Sequence, residues 1–219
     1  VPRIFLLSPA NCGGRRARIV LGDRASFALA VRLRSRAGAP IGDVFSFMSG
    51  LYFRGKLAYA RAFAAAPDPE SAISDGGVFV ITPTAGLRSP DTLVTREALL
   101  QFGAVDVDPA DRRYRDPLER TAKTLARDIG ADCDVVLLGS IASPKYVDVL
   151  QAIFHDRLLF PAEFVGRGDM SRGGLMLRCA AARQELTYIP VAGAVRHGQR
   201  PPKLDPKTRV RPPGVRSCL

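Results

Sequence analysis

Three short, unbroken apolar runs punctuate the chain, and each stops at a polar tip. Arg3-Ile4-Phe5-Leu6-Leu7 runs into Ser8-Pro9, Val78-Phe79-Val80-Ile81 into Thr82-Pro83, and Val135-Val136-Leu137-Leu138 into Gly139-Ser140, with Ser143-Pro144 just beyond. Four or five apolar residues without polar alternation predict strands buried on both faces, the habit of parallel sheets. Ligands of such sheets bind outside the carboxyl ends of the strands. Here those ends offer hydroxyls, backbone N–H groups and prolines that stiffen the turn, which points to a polar ligand.

Helical patterns separate the strands. Ala25 to Arg34 is rich in Ala, Leu and Arg and closes at Ala37-Gly38-Ala39-Pro40. Tyr52 to Ala65 carries Leu57, Ala60 and Phe63/Ala64 at helical spacing, and Arg96 to Phe102 makes a short helix. Pro117 at a first helical position predicts a helix through Ile129, stopped by Gly130, and Pro144 predicts another to about Phe154. Pro67 to Gly77 reads as a surface linker, Leu158-Leu159-Phe160 as a fourth strand, and Leu175–Arg178 with Leu186–Ile189 as a closing hairpin. The alternation predicts a single doubly wound α/β domain over 1–195. It is a three-layer sandwich with a mainly parallel central sheet and an antiparallel edge hairpin. From about Val195 the composition changes, and Pro201, Pro202, Pro206, Pro212 and Pro213 among scattered Arg and Lys predict a disordered basic C-terminal tail, 196–219.

Composition narrows the classes. With 219 residues, 47% of them hydrophobic, the chain supports one well-buried core. No apolar run approaches the roughly 18 residues of a membrane span, and no charged segment followed by a long apolar stretch opens the chain. Neither a membrane partner nor a signal peptide is expected. Cys12, Cys133, Cys179 and Cys218 form no C-x-x-C pair, and His155 and His197 are the only histidines. No zinc site and no cofactor are expected, and a reducing cytoplasm fits the scattered thiols. The net charge of +11 is unevenly spread: residues 1–36 carry +7 and residues 196–219 carry +6, leaving −2 for the body. Terminal basic patches attract polyanions, so nucleic acid or a nucleotide is the expected partner; the other reading is that the arginines serve solubility alone.

The loops hold the candidate chemistry. In Ser8 to Arg18, Asn11 and the Gly13-Gly14 pair precede Arg15, Arg16 and Arg18, where glycines admit an anion and guanidinium groups grip phosphate; an ordinary turn with solvated arginines is the alternative. Between Ser46 and Lys56, Ser49 is placed to cap a helix. Tyr52 and Phe53 offer a stacking face or core packing, and Arg54 or Lys56 a phosphate contact. Past Thr82, Asp91 suits a general base or a hydrogen-bond acceptor, or a plain turn. Asp106 and Asp108, two apart in extended chain, would point to one side and could bind Mg²⁺ or share a proton, although Asp108-Pro109 also makes a turn; no metal site is assigned. Gly139 to Tyr146 follows a strand and opens a helix, so Ser140 and Lys145 sit where an anion meets unpaired N–H groups. Arg167 and Arg172, in the glycine-rich stretch Phe164 to Gly174, are further anion ligands.

With these residues in place, the order of segments resembles a poorly characterised group of bacterial domains. Leu51-Tyr52-Phe53-Arg54…Ala58-Tyr59-Ala60 and Gly86-Leu87…Pro90-Asp91-Thr92 stand in that group's order, and the likeness covers roughly residues 3–150. It extends more loosely to the central domain of archaeosine synthase and to uracil-DNA-glycosylase-like folds, where a Val/Leu strand ends in Gly-x-x-Ala as Leu138-Gly139-Ser140-Ile141-Ala142 does. The glycosylase Gly-x-Asp-Pro-Tyr and His-Pro-Ser motifs are absent. The resemblance implies recognition of a nucleobase or nucleic acid more than a particular reaction.

The expectation is therefore a nucleic-acid- or nucleobase-binding protein with chemistry at a glycosidic bond as an extension. Asp91, Ser140 and Lys145 would be catalytic. Ser8, Asn11, Arg15, Arg16, Tyr52, Arg54, Thr82, Arg167 and Arg172 would bind substrate. The alternatives are a non-catalytic interaction protein with a basic arm, and an enzyme acting on a phosphorylated metabolite.

Overall fold

The computed structural model describes residues 1–67, 75–196, 198, 199, 201, 202 and 204. Most of the basic tail expected at 196–219, including His197, lies outside the described residues, as does most of the expected linker at 67–77. In chain order the elements are β1 (Arg3–Leu7), α1 (Arg15–Leu21), α2 (Ala28–Arg34), β2 (Ala39–Pro40), α3 (Ile41–Ser49) and α4 (Leu51–Phe63). Next come β3 (Val78–Thr82), β4 (Gly86–Arg88), β5 (Leu93–Val94), α5 (Arg96–Gly103) and α6 (Arg112–Asp128). The last third holds β6 (Asp134–Leu138), α7 (Val147–Phe154), β7 (Leu158–Pro161), α8 (Asp169–Ala182) and β8 (Tyr188–Pro190).

All three apolar runs are strands of one sheet, in the order β4-β3-β1-β6-β7-β8. The inner four are parallel, with Phe5 opposite both Val78 and Val136; β4 and β8 are antiparallel edges. The core residues of β1, β3 and β6 are almost wholly shielded, which is what unbroken apolar runs require. From β1 the chain crosses to β3 on one side, then returns past β1 to β6 and steps outward to β7. Right-handed crossovers in opposite directions put their helices on opposite faces of the sheet, which gives the three layers. The reversal leaves a crevice at the carboxyl ends of β1 and β6, whose following loops lead to different faces.

On the β1 face α4 packs against α8 at backbone contact. A Cβ on Gly55 would lie 2.6 Å from the Gly173 carbonyl oxygen, and one on Gly173 would lie 2.7 Å from that of Leu51. The apolar stripe of α4 faces inward through Tyr52, Phe53, Leu57, Tyr59 and Ala60, and Tyr59 meets Phe5 edge-on at 5.9 Å.

Several local expectations are corrected. Leu175–Arg178 is not a strand of a closing hairpin but the middle of α8: Leu-Met-Leu-Arg-Cys-Ala-Ala-Ala is built of good helix formers without a β-branched residue. The antiparallel edges are instead the β3–β4 hairpin and β8. The helix expected from Pro117 begins at Arg112, because Asp111 accepts the Arg113 N–H at 2.9 Å and caps it; Pro117 then lies inside. The helix expected from Pro144 begins at Val147, and α3 occupies the stretch whose Ser49 was expected to cap a helix. That position belongs to Gly50, at φ 60°, with no side-chain cap. Asp106 and Asp108 do not share an extended strand: Asp108 N–H donates to the Asp106 carbonyl at 2.9 Å, and the Asp108 carboxylate accepts from Ala110 N–H at 2.9 Å. No helix among the described residues is long and apolar enough to cross a membrane.

Candidate functional site

The crevice at the ends of β1 and β6 is a half-open cavity of about 650 Å³. Its walls come from the loop after β1 (Ser8–Gly13), the α3–α4 junction (Ser49, Tyr52), Pro83 after β3, the end of α5 and the following turn (Phe102–Val107), the loop after β6 (Ser140–Tyr146), and Asp169 at the start of α8. Ser8, Tyr52, Phe102 and Tyr146 are buried, whereas Asn11, Asp106, Lys145 and Asp169 are exposed. Charge therefore collects at the mouth, and the depth is neutral, with hydroxyls between apolar walls.

Beneath it lies a group that the sequence reading offered only as a phosphate contact. Lys56 is 1% exposed, on the apolar face of α4. Its Nζ donates to the Ser8 carbonyl oxygen at 2.6 Å and lies 2.8 Å from Ser8 Oγ. The rings of Tyr52 and Phe53 stand 4.5 and 4.8 Å from it. Burial drives its pKa down to about 7, against the opposing pull of Asp169 and with a further push from Arg172. Lysine is seldom fully buried without a carboxylate partner, and this one has none within ion-pair distance among the described residues.

The hydroxyls form a chain. Ser140 N–H donates to Tyr146 Oη at 3.0 Å. Tyr146 Oη adjoins Ser8 Oγ, and both lie within 3.2 Å of the point where a Cβ on Gly139 would sit. Burial raises the Tyr146 pKa, so its proton stays in place. Tyr52 also has a raised pKa from burial, partly opposed by the neighbouring Arg172 guanidinium, and its hydroxyl makes no well-formed hydrogen bond among the described residues. Asn11 Oδ1 accepts the Gly13 N–H at 3.0 Å and holds the first loop in a turn. Cys12 lines the cavity as an inert thiol, pushed up to about 12 by burial.

Of the residues expected in the site, Ser8, Asn11, Tyr52, Ser140 and Lys145 come together around this cavity. The others stand elsewhere. Asp91 lies outside it, exposed and ion-paired to Arg61 at 2.7 Å, with Ser89 Oγ accepting its backbone N–H at 3.2 Å. Thr82 is buried in the β3–β4 hairpin, where its Oγ1 donates to the Gly86 carbonyl at 2.7 Å and accepts the Ala85 N–H at 3.0 Å. Arg54 projects from α4 into solvent. Arg15 and Arg16 are exposed on α1, and Arg16 bonds the Phe47 carbonyl at 3.3 Å. Arg167 is occupied by the Glu163 carbonyl, Ser171 Oγ and the Pro202 carbonyl. Arg172 gives two hydrogen bonds to the Phe164 carbonyl, at 3.1 and 2.9 Å, and lies over the Phe164 ring. Both arginines tie the start of α8 to the preceding turn, and neither lines this cavity. Asp106 lines the cavity without Asp108, and no cluster of three or more His, Cys, Asp or Glu side chains suited to a metal occurs among the described residues.

Sequence reasoning missed Tyr146, Phe102 and Asp169 as site residues, and read Lys56 only as a phosphate contact. For Lys56 the signal was present: it lies three residues after Phe53 and four before Ala60, inside the apolar stripe. Comparison with protein-family models, curated proteins and solved structures finds no match to this chain.

Proposed function

We propose that the chain binds a nucleobase-containing ligand in the cavity at the ends of β1 and β6. The observation that carries this reading is the division of the site into a neutral depth and a charged mouth. A heterocycle is flat, apolar on its faces and rich in donors and acceptors along its edge. Phe102, Val105 and Pro83 supply apolar wall, while the hydroxyls of Ser8, Ser140 and Tyr52 supply edge contacts. The buried Tyr52 hydroxyl adds to this, because Arg172 is the polar group beside it and it makes no well-formed hydrogen bond among the described residues. Lys145 at the mouth, and Arg15 on the helix that follows Gly13-Gly14, would face a ribose phosphate or a nucleic-acid backbone. Attack at a glycosidic bond would fall to Asp106 or Asp169, which line the cavity, and not to Asp91.

The test is thermal unfolding and titration with nucleosides, nucleotides, short single-stranded DNA and RNA, and inorganic phosphate, on the native chain and on Tyr52→Phe. Saturable stabilisation by one class of nucleoside, weakened about tenfold or more in Tyr52→Phe, is expected. If phosphate alone stabilises as well as any nucleotide, the base-binding reading fails. Nucleic acid that binds only at low salt would reflect general charge attraction.

A further inference from the structure

We propose that Ser8 and Lys56 form a nucleophile–base pair that attacks an ester or amide carbonyl presented in the cavity. The proposal goes beyond ligand binding and does not depend on which ligand the cavity prefers.

The geometry carries it. A nucleophilic serine needs a neutral base within hydrogen-bond reach, access to the ligand, and a third contact that fixes the base. Lys56 Nζ stands 2.8 Å from Ser8 Oγ, and Ser8 is part of the cavity wall. The third contact is the Ser8 carbonyl oxygen, 2.6 Å from Nζ, which accepts and never donates. A neutral amine has two hydrogens and one lone pair. With one hydrogen on that carbonyl, the lone pair is free to accept the Ser8 hydroxyl proton. Tyr146 Oη, itself an acceptor for Ser140 N–H, adjoins Ser8 Oγ and can give it the phenolic hydrogen once the Ser8 proton points to Lys56. The run is Ser140 N–H, Tyr146, Ser8, Lys56, Ser8 carbonyl.

The surroundings hold the amine in the neutral form at working pH. Lys56 is enclosed by Tyr52 and Phe53 of its own helix, and the charged groups facing it are Asp169 and Arg172 of α8, which act in opposite directions. Burial is the dominant influence and brings the Lys56 pKa down to about 7. Serine–lysine pairs recur on unrelated folds as variants of the serine–histidine arrangement.

The reaction balances without a cofactor. Ser8 Oγ forms a bond to the carbonyl carbon as its proton passes to Lys56 Nζ. The bond from that carbon to the leaving oxygen or nitrogen then breaks, and the leaving group departs with the Lys56 proton. Water adds to the acyl-serine by the same route, giving the acid and restoring Ser8. Tyr146 is a positioning residue that fixes the Ser8 rotamer.

The experiment uses the full chain and a fluorophosphonate, which phosphonylates activated serines with loss of fluoride. Adduct formation is followed by intact mass and located by peptide mass spectrometry, from about pH 6 to about pH 9. One adduct on Ser8 is expected, with a rate that rises through a midpoint near 7. Ser8→Ala should abolish it, and Lys56→Met should slow it by about a hundredfold or more and remove the midpoint. Labelling spread over Ser49, Ser140 and Ser143, the other serines of the same cavity, would overturn the assignment. So would an unmodified native chain. Should Lys56→Met fail to fold, the pH profile of the native chain decides: a rate without a midpoint between about 6 and about 8 excludes a buried amine as base.

Discussion

Ser8, just past the end of β1, and Thr82, the last residue of β3, close neighbouring parallel strands. Each hydroxyl is buried at the carboxyl end of its strand, and each is followed by proline. Beyond Thr82 the chain turns straight back as the β3–β4 hairpin, and both hydrogen-bonding capacities of Oγ1 are spent on the hairpin's own backbone. Beyond Ser8 the chain leaves for α1, and the hydroxyl is left to face Lys56 and the cavity. A polar strand tip therefore marks a place where chemistry fits. Whether it is used depends on how the following chain departs.

The largest effect that would break this contrast is structural and belongs to the Thr82 side. Gly86 has φ +71°, and a Cβ there would lie 2.3 Å from both the Pro117 carbonyl oxygen and Thr121 Oγ1. Gly86→Val should lower the unfolding free energy by about 3 kcal/mol or more, measured by urea denaturation. A loss below about 1 kcal/mol would mean the hairpin is not held against α6 as described.

The next effect is electrostatic and belongs to the Ser8 side. Lys56 titrates at 10.5 when unfolded and near 7 when folded. Between those values the unfolded chain binds the extra proton, so stability rises with pH. The penalty is complete below the folded value and is relieved as pH climbs through it. Above about pH 9 the thiol of Cys12, whose folded pKa is raised, pulls the other way, so the clean window is 7 to 9. Urea midpoints should climb across that window in the native chain by the equivalent of a few kcal/mol, and Lys56→Met should flatten the climb.

A smaller change is expected for Thr82→Val, which removes two buried hydrogen bonds and should cost about 1–3 kcal/mol while leaving the cavity intact. The smallest is Asp91→Asn. Its exposed pair with Arg61 is worth about 1 kcal/mol at most, and ligand binding and serine labelling should be unchanged. Loss of either would return Asp91 to the site.

The sequence revealed the sheet because fully buried parallel strands write themselves as unbroken apolar runs, and it revealed half of the cavity because those runs end in Ser8 and Ser140. It misplaced Arg167 and Arg172 because glycines beside arginines look alike in an anion loop and in a helix junction. Only the tertiary contacts show that their guanidinium groups are spent on the Glu163 and Phe164 carbonyls. Leu175–Arg178 looked like a strand because a short apolar run carries little periodicity, and the contact of Gly55 with Gly173 that fixes it as helix is long-range. Lys56 stayed hidden for a different reason. A lysine in an apolar stripe also fits a side chain that reaches the surface along its methylenes, and only packing by Tyr52, Phe53 and α8 closes that exit.

The contrast between the two strand tips is tested most directly by comparing Ser8→Ala and Thr82→Val in the same pair of assays, fluorophosphonate labelling and urea denaturation. The expected result separates the two tips by labelling: Ser8→Ala abolishes it, whereas Thr82→Val loses stability and labels at the native rate. Equal labelling of Ser8→Ala and the native chain would contradict the account.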